Sequence, residues 1–306
     1  MTLTTSGCPI CRSGAISLAY KVTRGDLSSQ PIYNVSCCSD CGHLWAEGES
    51  SKELFSEIYS RYFYGTSQQS APHNPDGSLK PEAENYPPLV NARQRVTSLT
   101  AAGMRGTLLD VGCGVGYFVL AAKDDFDAEG LEIEQTAVDQ AALIGARVRL
   151  GDALVQEENP KRYDVVTLWD VFSGFTEPQE TAARLLDRVA DGGRLVLTMP
   201  DAGSLVARLA RARWPLMIPP GNMQFYTEAS ARRLFAGLGA TDVTITRPAK
   251  LVSVSFLVHK GLRAFGFYRA AKWRLPIPPD WKIPLNLGDI MTVTVRKPRA
   301  SVGPAA

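Results

Sequence analysis

The sequence predicts a doubly wound α/β protein preceded by a small cysteine-bearing module. Three observations point there. Strand and helix patterns alternate repeatedly after residue 106, a glycine loop joins the first such strand to its helix, and five of the six cysteines fall within the first fifty residues. A chain of 306 residues is long enough for one large domain and an accessory unit.

Residues 1–48 read as short strands and turns around the cysteines. From Ser51, the positions Leu54, Phe55, Ile58 and Tyr59 repeat at helix spacing, with Ser50 or Ser51 as a cap. Pro72, Pro75, Pro81, Pro87 and Pro88, among Gly, Ser and Asn, make 65–88 a connector or mobile loop. A helix over 88–102 leads into the main domain. There, strands are expected at 107–111, 128–133, 147–150, 163–168 and 194–199, with helices at 117–123, 136–143 and 180–190. Gly192-Gly193 reads as a turn, 205–214 as a further helix, and 241–246 and 290–296 as two late strands, seven in all. The expected organisation is a module at 1–48, a helical linker and lid at 49–105, and the main domain at 106–298 with an insertion at 247–284.

The segment Leu108-Leu109-Asp110-Val111-Gly112-Cys113-Gly114-Val115-Gly116 lies where the first strand turns into its helix. Glycines there let backbone amides approach a ligand. The spacing is G-x-G-x-G, not the G-x-G-x-x-G of dinucleotide binders. Asp110 sits just ahead of the loop, where it would repel a pyrophosphate and attract a cationic sulfonium or amino group. The second strand ends at Glu132, beside Ile133, where a carboxylate can accept from both ribose hydroxyls. Gly151-Asp152-Ala153 follows the third strand and places an acid near an adenine amino group. Three acids on successive strand ends suit a nucleoside without phosphate, although strand-end acids also commonly cap the next helix.

The segments LLDVGCGVGYF, GLEIE, GDA, YDVVTLWDVF, DGGRLVLTMPD and LGDIMTVTVRKP together resemble the class I S-adenosylmethionine methyltransferases, in their small-molecule branch. The resemblance covers most of 106–298 and implies a Rossmann-like seven-stranded sheet. It also implies that Asp110, Gly112, Gly114 and Gly116 cradle the methionine end, with Cys113 in the same loop. Glu132 and Ile133 would meet the ribose side, and Gly151, Asp152 and Ala153 the adenine. Trp169 and Asp170 would face cofactor and substrate from the fourth strand end. Relatives often place an acid–histidine pair after that strand and a histidine before a hYFT-like segment. Here those stretches read Val171-Phe172-Ser173-Gly174-Phe175 and Gly221-Asn222-Met223-Gln224-Phe225-Tyr226-Thr227, and the three histidines are His43, His73 and His259. Catalysis by positioning alone is one explanation. The other is a base among Asp170, Tyr226 and His73.

Cys8-Pro9-Ile10-Cys11 and Cys38-Ser39-Asp40-Cys41 form two C-x-x-C knuckles, expected to hold one structural Zn²⁺ through Cys8, Cys11, Cys38 and Cys41. Cys37 in place of Cys38, His43 as an occasional ligand, and a redox dithiol pair are the alternatives. Similar knuckles precede bacterial methyltransferases acting on sugars and secondary metabolites. Tyr59-Ser60-Arg61-Tyr62-Phe63-Tyr64-Gly65 is either a lid or interdomain core.

A net charge of +2 points to no partner class, and no apolar run approaches membrane-spanning length. With no basic, apolar start, a cytoplasmic, reducing setting is expected. Residues 247–280 nevertheless concentrate Arg247, Lys250, Lys260, Arg263, Arg269, Lys272 and Arg274 among Phe256, Phe265, Phe267, Tyr268 and Trp273. That composition fits a cap over an anionic or carrier-linked acceptor, contact of 250–282 with a membrane surface, or a solvated helix face. An RNA-modifying protein is the rival reading; against it, the knuckles are not strongly basic and no aromatic RNA-binding motif is present. The loop spacing and Asp110 disfavour an NAD enzyme.

Overall fold

The structure, a computed structural model, describes residues 7–24, 27, 29–48, 54, 74, 76, 78–155, 160–240, 242–255, 257, 258, 262 and 281–298. The proposed lid, the helix expected from 51, His73, His259 and the basic run 260–274 fall outside the described residues, except for Leu54 and Arg263's neighbour Leu262.

Seven strands form the central sheet: β4 (Thr107–Val111), β5 (Asp127–Glu132), β6 (Val148–Leu150), β7 (Tyr163–Leu168), β8 (Val189–Pro200), β10 (Val243–Thr246) and β13 (Ile290–Arg296). Their order is β10-β13-β8-β7-β4-β5-β6. β4 through β8 run parallel, and β13 enters antiparallel between β8 and β10. The central strands read as continuous apolar runs because both faces are covered: Leu108, Leu109, Val165, Val166 and Leu168 are all buried. Strand order reverses between β4 and β7, so a crevice opens at their carboxyl ends.

Helix α1 (Pro87–Ala101) starts with two prolines, where a missing N–H is harmless, and buries Leu89, Ala92, Val96 and Leu99. It stops at Gly103, whose left-handed φ of 74° lets Met104 donate back to Leu99. Further helices are α2 (Tyr117–Ala122), α3 (Gln135–Leu143), α4 (Pro178–Asp187), α5 (Leu205–Ala210) and α6 (Glu228–Gly237). A capping box between Thr227 and Ser230 fixes the start of α6.

Two sequence expectations are corrected. Gly192-Gly193 is not a turn between elements but an irregularity within the twelve-residue β8, where pairing to β7 jumps from Tyr163↔Val189 to Val165↔Arg194. A side chain at Gly193 would collide with the Asp164 and Ala190 carbonyls, so the chain folds tightly there without leaving the sheet. The expected helix over 205–214 ends at Ala210, and a 3₁₀ turn, Arg211–Arg213, follows.

The cysteine strands form a second sheet, β1 (Ile16–Thr23), β2 (Ile32–Cys38) and β3 (Leu44–Glu47), all antiparallel. Its fourth strand comes from far along the chain: β9 (Gln224–Phe225) pairs with β3, Leu44 opposite Phe225 and Trp45 opposite Gln224. Cys8, Ile10, Cys38, Cys41 and Trp45 belong to the same buried cluster as Leu109, Leu168, Phe172 and Phe235. The module therefore shares both a sheet and a core with the main domain. A third, two-stranded sheet pairs β11 (Lys250–Ser253) with β12 (Lys282–Leu285) at the base of the insertion. Asn91 of α1 clamps it, its amide donating to the Leu251 carbonyl and accepting from the Leu251 N–H, both at 2.9 Å.

Candidate functional site

The turn from β4 into α2 places Asp110, Gly112, Cys113, Gly114 and Gly116 at the carboxyl ends of the strands. Gly114 has φ 55°, and a side chain built there would meet nothing within 4 Å, so this backbone faces open space. Cys113 is a packing residue: its Sγ covers the Cα of Gly130 on β5 so closely that a side chain at 130 would collide with it. Asp110 is 2% exposed and accepts from the Thr167 hydroxyl at 2.6 Å. Burial pushes its carboxyl up to about 7, against the pull of that hydrogen bond and of Arg95.

Glu132, also 2% exposed, accepts from the backbone N–H of Gly114 at 2.8 Å, of Ile133 at 2.8 Å and of Glu134 at 3.1 Å. Its carboxylate thus braces the glycine loop against the end of β5 and retains acceptor capacity for a ligand. Ile133 beside it is 63% exposed, an apolar surface next to a polar cradle. Gly151 donates to the Glu132 carbonyl, and Ala153 is buried in the core. Asp152 is exposed and caps its own turn, accepting from Leu154 N–H at 2.8 Å.

At the end of β7, Trp169 and Asp170 meet two residues the sequence reading did not single out for this site. The Arg95 guanidinium lies 4.6 Å over the Trp169 ring and donates to Asp170 at 2.8 Å. Lys250 donates to both Asp170 oxygens at 2.9 and 3.0 Å, and Thr198 adds its hydroxyl at 2.9 Å. The carboxyl is half exposed. Desolvation works to raise it, but Lys250 and Arg95 hold it well below the usual carboxylate range. Asp170 also adopts φ 63°, uncommon without glycine, and the Thr198 contacts to its N–H and carboxylate fix it there. A group so strongly paired is a fixed anion, poorly suited to taking a proton at neutral pH.

Tyr226 lies elsewhere. It is fully buried, stacked on Phe172 and against His43, with no partner for its hydroxyl among the described residues, and burial raises it well above the ordinary phenol range.

The four knuckle sulfurs converge. Cys8 and Cys41 approach to 3.6 Å, Cys11 and Cys38 to 3.5 Å, and all four sulfurs lie within 4.8 Å of one another. Disulfide bonds would require about 2.05 Å, whereas sulfurs around one tetrahedral Zn²⁺ are separated by roughly 3.8 Å. Ile10 N–H points at Cys8 Sγ at 3.4 Å, the donor a thiolate would need. Cys37 turns its thiol to the Cys38 carbonyl, and His43 is outside the group. The His43 ring instead pairs with Gln224 at 2.8 Å, and burial pulls it down to about 4.

A surface hollow lined by Gly106, Thr107, Phe126 and Asp164 lies at the opposite ends of the strands, away from these groups. Among the described residues, no helix is long and apolar enough to cross a membrane.

The family model described as "Methyltransferase domain" matches residues 85–245, more than half the chain. No curated protein sequence matches. An S-adenosylmethionine-dependent methyltransferase from Thermotoga maritima superposes with a TM-score of 0.50 at 14% identity, covering 78% of this chain and 98% of its own. The magnesium protoporphyrin IX methyltransferase of Synechocystis PCC 6803 gives 0.47 at 15% identity, covering 81% and 100%. At such identities the likeness to the first shows the fold alone.

Proposed function

Because the chain belongs to the S-adenosylmethionine-dependent methyltransferase family, we propose that it methylates an oxygen of a small molecule with a sugar-like or secondary-metabolite scaffold. The observation that carries this reading is the pair of buried carboxylates, Asp110 and Glu132, flanking an open glycine backbone at the switch point of the sheet. When bound, S-adenosylmethionine supplies an electrophilic methyl carbon on a sulfonium. Asp110 would hold the cationic end, Glu132 the ribose hydroxyls, and the exposed Ile133 an apolar face of the nucleoside. Asp152 keeps a carboxylate oxygen for the adenine edge.

Asp170 and Tyr226 do not serve as proton acceptors in this reading. Asp170 is held ionised by two cations, and Tyr226 is sealed in the core. Catalysis then rests on holding the acceptor in line, ~3 Å from the methyl carbon. Arg95 and Lys250 meet at the Asp170 carboxylate, with Asp110 also acting on Arg95 and Asp289 on Lys250, so support for an anionic group on the acceptor comes from the basic composition of 247–280. The four thiols fit one structural Zn²⁺, closed to catalysis because no coordination position is left. Free thiols of this kind suit a reducing cytoplasm.

Incubation with methyl-labelled donor and a panel of hydroxylated small molecules, neutral and anionic, tests the proposal. With the donor held saturating at every pH, a labelled ether product at a rate flat across neutral pH is expected. A sharp acid limb would contradict catalysis by positioning, and label appearing only in tRNA would overturn the small-molecule reading.

A further inference from the structure

Resting on the reading of the segment after β7 as the acceptor side, we propose that Gln224 is a positioning residue that transmits the order of the four-thiol module to that segment. The second knuckle closes on itself through Gly42 N–H to the Cys38 carbonyl and Cys38 N–H to the His43 carbonyl, both 2.9 Å, so ligation of Cys38 and Cys41 fixes where His43 begins. The His43 ring has one hydrogen-bond partner among the described residues, the Gln224 side-chain oxygen. The same amide donates from its nitrogen to the Thr176 carbonyl at 3.3 Å, so its oxygen faces the ring and His43 Nε2 carries the proton.

Thr176 ends the segment that begins at Asp170 and contains the 3₁₀ turn Phe172–Gly174. That turn is gripped a second time by the two residues just ahead of β9: Met223 N–H donates to the Ser173 carbonyl at 2.7 Å, and the Ser173 hydroxyl donates to the Asn222 side chain at 2.6 Å. Ala46 of β3 in turn donates to Met223. One short stretch is therefore hydrogen-bonded to the module on one side and to the post-β7 turn on the other. Gln224 and His43 are both buried, so neither lost bond could be replaced readily by water. Other dockings of the module lead elsewhere, Arg24 to the Pro219 carbonyl and Tyr20 to Arg211 among them. Gln179 of α4 donates to the Ile10 carbonyl at 2.7 Å, and Thr227 at the start of α6 donates to the Cys41 carbonyl at 3.2 Å.

Amide exchange on the full, zinc-loaded chain saturated with S-adenosylhomocysteine tests this, comparing wild type, Gln224→Met and Gln179→Met. Gln224→Met keeps side-chain length and removes both bonds. The Gly174 and Met223 amides are expected to exchange about tenfold faster in it, while the Gly112 and Gly116 amides, the ligand affinity and the zinc content stay at wild-type values. Gln179→Met, which loosens docking without touching the turn, is expected to leave Gly174 and Met223 unchanged. Chelating the metal from wild type should reproduce the Gln224→Met pattern at those two amides, and it carries the test should that variant not fold. With an acceptor from the labelled-donor screen, Gln224→Met should raise acceptor KM and leave donor KM unchanged. Unaltered Gly174 and Met223 exchange in Gln224→Met or after chelation, or an equal rise in Gln179→Met, overturns the proposal. Failure to bind S-adenosylhomocysteine strikes the methyltransferase reading instead, and the exchange pattern still decides the role of Gln224.

Discussion

The two halves of the site are built in different ways. The half proposed to hold the cofactor comes from one stretch in chain order: β4, its glycine loop, and the ends of β5 and β6 supply Asp110, Gly114, Glu132 and Asp152 within about forty residues of sequence. The acceptor half is assembled from α1, the end of β7, β9, β11 and the cysteine module, whose closest contacts join residues 75 to 181 positions apart. The first half can keep its shape when distant parts loosen, and the second cannot. Metal removal, cofactor contacts and pH should therefore separate the two.

Removing the proposed zinc should have the largest effect. The knuckles share a core with Leu109 and Phe172, so chelation is expected to lower the denaturation midpoint strongly and expose the amides of β1–β3 and β9. Protection around Gly112–Gly116 should survive. Equal loss in both regions would show that the halves are not separable.

Glu132→Ala should come next. It removes the proposed ribose acceptor and orphans the N–H groups of Gly114, Ile133 and Glu134. S-adenosylhomocysteine affinity is expected to fall about 100-fold by calorimetry, with zinc content unaltered. A loss under threefold would remove Glu132 from the site.

The effect of pH is smaller and opposite in sign for stability and for binding. Asp110 in the free protein sits near 7, above its unfolded value. Its contribution to stability is fully present below the unfolded value and is lost as pH rises through about 7. A cationic ligand needs the ionised form, so S-adenosylmethionine affinity should rise roughly tenfold from pH 6 to pH 8 and then level off. Asp110→Asn should abolish that slope, and a slope retained in the variant would assign it to another group.

Asn91→Ala should have the smallest effect, about 1–2 kcal/mol of stability from the paired amide bonds to Leu251. Denaturant titration reads it, and acceptor KM should change more than donor KM.

The same division explains what the sequence disclosed. The placement of Asp110, Glu132 and the glycine loop at the carboxyl ends of strands was legible because βα units repeat, and β4, β7 and β13 begin and end where their apolar runs do. The convergence of the four cysteines was legible because each pair lies three residues apart. Arg95, Lys250, Asn91 and Gln224 were not, because each acquires its role from a partner brought in by the fold. Arg95 lies on a helix whose face is set only once α1 packs on the sheet. β9 is two residues long, too short for any periodicity. Tyr226 looked like a candidate base by motif position, yet it is covered by Phe172 and His43.

Calorimetric titration of the purified chain with S-adenosylhomocysteine and, separately, with NAD tests the central claim most directly. One saturable site per chain for the nucleoside thioether, with no heat from the dinucleotide, is the expected result. Binding of NAD with none of S-adenosylhomocysteine would contradict the assignment of Asp110 and Glu132 to a phosphate-free ligand.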